Sequence, residues 1–400
     1  MTAEALVAYD PYDHTIQDDP YPTYAWLREH APLYRNAEHG FFALSRHADV
    51  LAALRDETTY SNQMGVSIDP ASWGPQARYA MSFLAMDAPE QTRLRALVSR
   101  GFTPRRVQQL EEEIRELAGT YLDDLVADGA FDFIDDFAGK FPMDVISELL
   151  GVPKADRAEL RRLADLLIER PAGTRDVPQA GIDAAIALLQ YFGELIGDRR
   201  RQSRDDLVSA LVATELAGER LADSEIVGFA LLMIVAGNET TTKLLGNCAY
   251  WAHHNPEQQA AVFGDPARVP GWVNETLRYD TSTQMLARYL VRDVELHGEV
   301  APAGSQLLLL LGSANRDSTV FPDGDRFDID RDTSALISFG AGRHYCLGAN
   351  LARLEANLAL GELVRRASTI EVVDEDTRVE RVHSVNVRGF AHLPVRVAKR

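Results

Sequence analysis

The sequence predicts a mainly α-helical protein with a smaller β region. One helical pattern of about thirty residues runs from Asp223 to His253. A second, near the C-terminus, places leucines at steps of four, three and four: Leu347, Leu351, Leu354 and Leu358. Strand-like segments are few and short, and cover 33–34, 40–45, 290–296, 307–311 and a terminal hairpin over 384–396. Long helices with a few short strands indicate this fold class.

Length and composition are those of one globular unit. The chain has 400 residues, of which 46% are hydrophobic, so it can bury a large core. No linker rich in Pro, Gly or Ser, no repeat and no low-complexity run divides it. We therefore expect a single domain over residues 1–400, without a separate reductase domain.

Charge and cysteine content argue against several classes of protein. With 41 Lys and Arg against 60 Asp and Glu, the formal charge is −19, which disfavours nucleic acid or an anionic membrane as a partner. Two cysteines, Cys248 and Cys346, are too few for a disulfide framework or a four-cysteine zinc site. The first residues lack the features of a signal peptide, and the apolar stretches 229–237 and 307–312 are too short to span a bilayer. We expect a soluble cytoplasmic protein with no membrane anchor.

The N-terminal half reads as a series of helices around one irregular segment. The predicted helices cover 21–35, 47–55, 87–102, 107–127, 131–150, 155–169 and 182–201. Between residues 56 and 85, glycines and prolines alternate with aromatic and methionine side chains. Such a long loop inside a compact domain is usually functional or disordered, and its aromatic content favours the wall of an apolar cavity. An ordinary covered surface loop is the alternative.

The central helix is weakened in its middle. Asp223 or Ser224 can cap its start, and Pro256 stops it. Gly237 and the three threonines 240–242 are poor residues for a helix interior, which favours a ligand or a kink at this point. One stripe of the helix carries Leu232, Val235, Ala236, Glu239 and Thr240. The alternative is simple core packing, with the threonine hydroxyl bonded to the carbonyl four residues earlier.

A glycine-rich segment, residues 339–348, precedes the C-terminal leucine pattern. It places Cys346 at or just before a helix N-terminus, where free N–H groups favour an anion and lower the pKa of a thiol. Such a thiolate is a good metal ligand. Gly340, Gly342 and Gly348 let the backbone turn tightly and approach a flat ligand. A buried free cysteine beside a glycine turn is the alternative.

This segment resembles the haem-binding loop of the cytochrome P450 monooxygenases. It matches their Phe-Gly-x-Gly-x-His-x-Cys-x-Gly pattern at every fixed position. The resemblance implies the cytochrome P450 fold, with haem b between the long central helix and the cysteine-loop helix. It also implies that Cys346 is the metal ligand of the haem iron. The other cofactor-binding positions that it implies in this loop are Phe339, Gly340, His344 and Gly348.

The central helix resembles the same family. Its motif Ala-Gly-x-Asp/Glu-Thr-Thr falls at 236–241, which implies that Glu239 and Thr240 are an acid–alcohol pair relaying protons. Ala236 and Gly237 would then lie in a groove beside the haem that holds dioxygen. Arg95 and Arg288 match arginines that bind the haem propionates. Gln91 stands where the family usually has histidine, so we expect a weaker propionate anchor there.

The resemblance extends to structural and substrate positions. Glu275 and Arg278 match a buried Glu-x-x-Arg pair that supports the cysteine loop, and Arg326 matches a later arginine joining them. The substrate pocket would be lined by Leu232, Val235, Ala236, Leu286, Asn386 and Val387. These walls are mostly apolar, which favours a lipophilic small molecule.

Four motifs in the family's order imply a haem-thiolate monooxygenase that hydroxylates or epoxidises its substrate. No flavin or nicotinamide fingerprint is present, so NAD(P)H would act only indirectly, through ferredoxin reductase and ferredoxin. We expect a monomer. The alternatives are a peroxide-driven haem-thiolate enzyme and a non-catalytic haem protein that binds a ligand.

Overall fold

The computed structural model describes residues 9–101, 107–108, 110–168, 177–373 and 379–400. Helices dominate these ranges. In chain order they are α1 His14–Asp18, α2 Tyr21–His30, α3 His47–Arg55, α4 Ala77–Met81, α5 Glu90–Gly101, α6 Glu111–Asp128, α7 Phe141–Leu150, α8 Arg157–Ile168, α9 Gln179–Arg201, α10 Leu207–Ala213, α11 Asp223–His254, α12 Pro256–Gly264, α13 Val269–Tyr279, α14 Leu311–Ala314 and α15 Ala349–Arg366.

The strands are short and form small sheets. They are β1 Leu33–Asn36, β2 Phe41–Leu44, β3 Tyr60–Ser61, β4 Ala130–Asp132, β5 Glu215–Leu216, β6 Glu219–Arg220, β7 Met285–Leu290, β8 Val294–Leu296, β9 Glu299–Ala301, β10 Gln306–Leu310, β11 Ala367–Val372, β12 Glu380–Arg381, β13 Phe390–His392 and β14 Pro394–Lys399. A five-stranded sheet has the order β1-β2-β10-β7-β3, and a three-stranded sheet has the order β11-β14-β4. The predicted mainly α class with a smaller β region is confirmed.

The predicted boundaries hold best where the signal is local. Helix α3 has the predicted bounds, and α11 runs one residue beyond the predicted end because Pro256 follows Asn255. The cap at the start of α11 differs, since the Glu225 carboxylate accepts the Ala222 N–H at 2.8 Å. The helix predicted over 21–35 ends at His30, where β1 pairing takes over.

A hairpin is present near the predicted one, but it joins β12 to β13 across residues 382–389, so the predicted bounds 384–396 are wrong. Strand β14 lies between β11 and β4, with Val395 opposite both Val372 and Phe131, and β13 pairs instead with β12. The partners of β14 are distant in sequence, so no turn signal between residues 384 and 396 could have indicated them. The segment before β13 forms a turn, held to residue 283 by a single bridge at Val387.

Helix α11 is the axis of the core. It packs against α7, α9, α13 and α15, and most of its residues are buried. Within the described residues, α9 is the one helix that is long and apolar enough to cross a membrane. Leu188, Phe192 and Ile196 of α9 lie in the core, and a lone helix of this kind is weak evidence for a membrane span.

A buried aspartate joins both ends of the chain to the core. Asp280, just after α13, accepts hydrogen bonds from the Tyr21 hydroxyl at 2.6 Å, Trp251 Nε1 at 2.8 Å and Arg388 Nε at 2.8 Å. Burial by itself would raise the pKa of Asp280, but the charges of Arg388 and Arg381 outweigh it, and the pKa falls to about 2.

Replacing Asp280 by Asn should destabilise the protein by about 3–5 kcal/mol, because it leaves Arg388 buried beside a neutral group. The folded pKa lies below that of the unfolded chain, so the stabilisation is present above about pH 4 and is lost as pH falls towards 2. Urea unfolding of both proteins between pH 7 and pH 3 measures this difference. It should shrink as pH falls; a constant difference would contradict the account. Asp330→Asn, which removes an exposed partner of Arg268, is the control and should cost less than about 1 kcal/mol.

Candidate active site

The glycine-rich segment folds into a closed loop in front of α15. Gly340 and Gly342 have φ values of +70° and +67°, which side-chain-bearing residues rarely adopt. A Cβ on Gly342 would also lie 2.8 Å from the Leu54 carbonyl oxygen. The Cys346 N–H donates to the Phe339 carbonyl at 2.9 Å and closes the loop. The cysteine is thereby fixed three residues before α15.

The surroundings of Cys346 act on its thiol in opposite directions. Part of the residue is exposed, but the protein that encloses the sulfur on its other sides raises the pKa of the thiol. The N–H groups of Gly348 and Ala349 and the guanidinium groups of Arg95 and Arg353 partly offset this. The lowering of the pKa predicted from the helix N-terminus alone is therefore wrong, because burial outweighs it.

Two arginines predicted as cofactor ligands lie around the same loop. Arg95 donates through Nη2 to the Tyr345 carbonyl at 2.6 Å. Arg288, on β7, is almost fully buried, and its guanidinium donates to the carbonyl of Ala287 at 2.8 Å. Burial lowers the pKa of Arg288 to about 10, against an opposing contribution from Asp87. A buried guanidinium with so little compensation suits an anionic ligand.

His344 completes this basic cluster. Both ring nitrogens of His344 are buried without a hydrogen-bond partner. Burial, together with the charges of Arg288 and Arg95, lowers the pKa of His344 to about 3. A neutral imidazole carries one N–H donor, so the three side chains converge as donors that an anionic group would satisfy.

Gln91 is buried and is used within the protein. Its Nε2 donates to the Arg343 carbonyl of the cysteine loop at 3.1 Å. Gln91 therefore braces the loop through one of its two amide N–H groups, and its role as a weak propionate anchor stays a prediction. The Arg353 guanidinium lies over the Phe339 ring, 4.4 Å from the ring centroid. A Cβ on Gly348 would lie 3.9 Å from the Cys346 sulfur, which is an ordinary contact distance.

The predicted stripe on α11 is its partly open face. Leu232, Val235, Glu239 and Thr240 are partly exposed and Ala236 is exposed, although α11 runs through the core. Neighbouring positions such as 233, 234, 238 and 241 are buried. This pattern indicates that the stripe faces an internal space.

Helix α11 runs through its threonine-rich middle without interruption. The Thr240 hydroxyl donates to the Ala236 carbonyl at 2.9 Å, and that of Thr241 donates to Gly237 at 3.2 Å. The alternative of a hydroxyl satisfied four residues earlier is thus the arrangement observed, within one continuous helix. Gly237 instead permits close packing of α7, since a Cβ would lie 3.0 Å from Ile146 Cδ1.

Sequence reasoning missed the partner of Glu239. Lys243 Nζ lies 3.0 Å from Glu239 Oε1, and both side chains are largely buried. The spacing of four residues on one helix is a signal that could have indicated the pair.

The Glu-x-x-Arg pair is fully buried in α13. Two hydrogen bonds of 2.7 and 2.8 Å join Arg278 to the Glu275 carboxylate. Arg326 does not join them: its side chain is 66% exposed and pairs with Asp328, so this prediction is wrong. Arg331, 11% exposed, approaches Glu275 at 3.4 Å instead. Arg326 contributes its backbone carbonyl to Arg278, which a sequence pattern does not distinguish from its side chain.

The remaining predicted pocket positions lie on β7 and on the turn before β13, and that turn contacts the residues just before β7. Leu286 lies on β7, partly exposed, and the carbonyl of Asn386 accepts the Gln284 N–H at 2.8 Å. Asn386 Nδ2 donates to Ser67 Oγ at 2.6 Å, and Val387 forms the bridge to Thr283. Ser67 belongs to the segment 56–85, which is ordered and packed here, with β3 and α4 inside it.

Comparison with known proteins decides the family. The family model described as Cytochrome P450 matches residues 183–385. Cytochrome P450 123 of Mycobacterium tuberculosis is 55% identical over 98% of this chain and 97% of its own length. The chain belongs to the cytochrome P450 family. The structure of cytochrome P450 CYP109Q5 from Chondromyces apiculatus superposes with a TM-score of 0.89, at 36% identity, over 98% of each chain.

A second solved cytochrome P450, CYP109E1 from Bacillus megaterium, was crystallised with corticosterone. Its TM-score is 0.86 at 29% identity, covering 96% of this chain and 99% of the other. Cytochromes P450 are haem-thiolate monooxygenases that bind haem b between the long central helix and the cysteine-loop helix, here α11 and α15. The residues of this cytochrome P450 fit haem b, because Arg288 and His344 are buried hydrogen-bond donors that the anionic propionates would satisfy.

Proposed function

We propose that this cytochrome P450 takes electrons from ferredoxin and oxygenates a lipophilic small molecule, with Cys346 as the iron ligand. The observation that carries this assignment is the position of Cys346 beside a basic cluster of Arg95, Arg288 and His344. Bound haem supplies the oxidative chemistry, in which dioxygen and two electrons give one oxygen atom to the substrate and one to water.

The cysteine loop and the basic cluster would hold the cofactor. The sulfur of Cys346 would bind the iron, and the two guanidinium groups with His344 would bind the two propionates. Since burial and the nearby cations already suppress protonation of His344, the imidazole would act as a neutral donor. Phe339, Gly340 and Gly348 would shape the loop that brings the sulfur to the haem.

Glu239 and Thr240 would manage protons. Formation of water consumes two protons, which must reach the buried site from solvent. The Thr240 hydroxyl donates its proton to the Ala236 carbonyl, so the lone pairs of the hydroxyl oxygen can accept a hydrogen bond from a proton donor. The carboxylate of Glu239, partly exposed on the same stripe, can exchange protons with solvent and pass them on.

The pocket walls would exclude water and orient the substrate. Leu232, Val235, Ala236, Leu286 and Val387 offer apolar surface, and the Asn386 amide is the polar group among these positions. Such a wall suits a rigid lipophilic molecule. The corticosterone complex of CYP109E1 supports a steroid as the first compound to test.

Replacing Leu232 by Trp should weaken steroid binding at least about tenfold, because the larger side chain fills part of an apolar pocket. Titration of the haem protein with corticosterone, followed by the displacement of iron-bound water in the Soret band, measures the dissociation constant. Ile186→Trp, on the exposed face of α9, is the control and should bind as the wild type does. Equal affinity in the Leu232 variant would remove this residue from the pocket.

The electron source is tested by comparing two ways of driving turnover. We expect product with NAD(P)H, ferredoxin reductase and ferredoxin, and much less with hydrogen peroxide alone. Faster turnover with peroxide would favour the peroxide-driven alternative, and binding without turnover in either system would favour a ligand-binding protein. We further propose that the chain acts in the cytoplasm as a monomer, with residues 1–400 forming one domain.

A further inference from the structure

Lys243 is a buried lysine held at both ends of its side chain. Its ammonium group lies 3.0 Å from Glu239 Oε1 and donates to the Phe390 carbonyl at 3.1 Å. Only 6% of the lysine side chain and 13% of the glutamate side chain are exposed. A lysine is rarely buried without such partners.

The stem of Lys243 is enclosed by the backbone just before β13. A Cβ on Gly389 would lie 2.6 to 2.8 Å from the Cβ, Cγ and Cδ atoms of Lys243. The glycine is therefore required by space, and its backbone limits the path of the lysine stem on that side. The ammonium group is delivered to one place, between the Glu239 carboxylate and the Phe390 carbonyl.

This arrangement differs from an ordinary pair on a helix surface. Lys140 and Asp136 have the same four-residue spacing, but their side chains are 38% and 41% exposed and their charged atoms are 3.8 Å apart. Exposed pairs of this kind fix neither partner. The Lys243 ammonium differs in also donating to the Phe390 carbonyl, which fixes its position beside Glu239.

The consequence concerns the direction of Glu239. Its carboxylate pairs with Lys243, one turn towards the C-terminus, whereas the Thr240 hydroxyl donates to Ala236, one turn towards the N-terminus. The acid and the alcohol are thus each held by a separate partner, and Lys243 determines where the acid lies. Small displacements of a proton-transfer group are costly for rate.

We propose that Lys243 is a positioning residue for proton delivery, fixing the Glu239 carboxylate relative to Thr240 and anchoring it to the backbone at Phe390. This inference rests on the proton role of Glu239 given under the proposed function. It adds a residue outside the recognised motif, and it makes Gly389 part of the same support.

The test measures product formed per NAD(P)H consumed in the haem protein with its ferredoxin and reductase. Lys243→Met, which keeps the length of the stem but not the charge, should lower this ratio about tenfold or more. Lys243→Arg shares the Cβ, Cγ and Cδ stem that fits against Gly389, and it should retain at least about half of the wild-type ratio. Lys140→Met, the exposed counterpart, should match the wild type.

A double variant separates positioning from a general structural role. If Lys243 acts through Glu239, then Glu239→Gln with Lys243→Met should couple no worse than Glu239→Gln alone. Thermal unfolding of the carbon monoxide-bound proteins gives a readout independent of turnover. The melting temperature lost in Lys243→Met should be at least partly restored in the double variant, because the unpaired carboxylate is then gone.

The outcomes divide cleanly. A Lys243→Met variant that couples like the wild type, or a double variant with both losses multiplied, overturns the positioning role and leaves the proposed function in place. If Glu239→Gln itself couples normally, the proton role of Glu239 fails, and the inference falls with it. If Lys243→Met does not fold, the Arg variant and the double variant still give the comparison.

Discussion

Replacing Glu275 by Gln should yield protein that neither folds stably nor retains haem. The change leaves the Arg278 guanidinium, which is fully buried in α13, beside a neutral amide. Removing one member of a buried ion pair costs about 3–5 kcal/mol, which is a large part of the stability of a typical domain. The yield of haem-loaded protein and its midpoint in urea measure the effect.

Two arginines provide matched controls for this prediction. Arg331→Gln removes the buried partner that approaches Glu275 and should lower the urea midpoint clearly. Arg326→Gln removes an exposed side chain and should cost less than about 1 kcal/mol. Equal losses in the two variants would contradict the assignment of Arg331, and a normal Glu275→Gln protein would contradict the role of the buried pair.

Replacing Thr240 by Ala should separate electron consumption from product formation. The variant keeps the fold and the haem, because the hydroxyl makes one hydrogen bond to Ala236 within the helix. It loses the group that passes protons at the open face of α11, and general acid–base groups contribute about 10²–10⁴-fold to rate. We expect NAD(P)H oxidation to continue while product formation falls about a hundredfold and peroxide accumulates.

The matched control is the next residue along the helix. Thr241→Ala removes a hydroxyl that makes the same kind of bond, to Gly237, but from the buried face. Its product yield should stay close to that of the wild type. Equal uncoupling in both variants would show that the helix, and not the hydroxyl at the open face, controls proton delivery.

The elements that the sequence predicts well are those set by local chemistry. The glycines of the cysteine loop adopt left-handed backbone conformations, which other residues rarely adopt. Their spacing therefore predicts the loop around Cys346. Periodicity likewise predicts α11 and which of its residues share one face, because apolar and polar positions recur every three to four residues. The role of that face as a substrate pocket stays a prediction.

The features that it predicts poorly depend on tertiary position. Arg326 and Arg331 lie five residues apart in one loop, and only the path of that loop decides which side chain reaches Glu275. Burial raises the pKa of the Cys346 thiol, whereas nearby backbone N–H groups lower it. A ten-residue motif does not indicate how deeply its cysteine is buried. The contact between Lys243 and Phe390 spans 147 positions of the chain.

The central claim is that the sulfur of Cys346 binds the iron of haem b, and one spectrum tests it most directly. The reduced protein, treated with carbon monoxide, should show the red-shifted Soret band of a thiolate-ligated haem, and Cys346→Ser should lose that band while Cys248→Ser keeps it. A wild-type protein without the band, or a Cys346→Ser variant that retains it, would contradict the account.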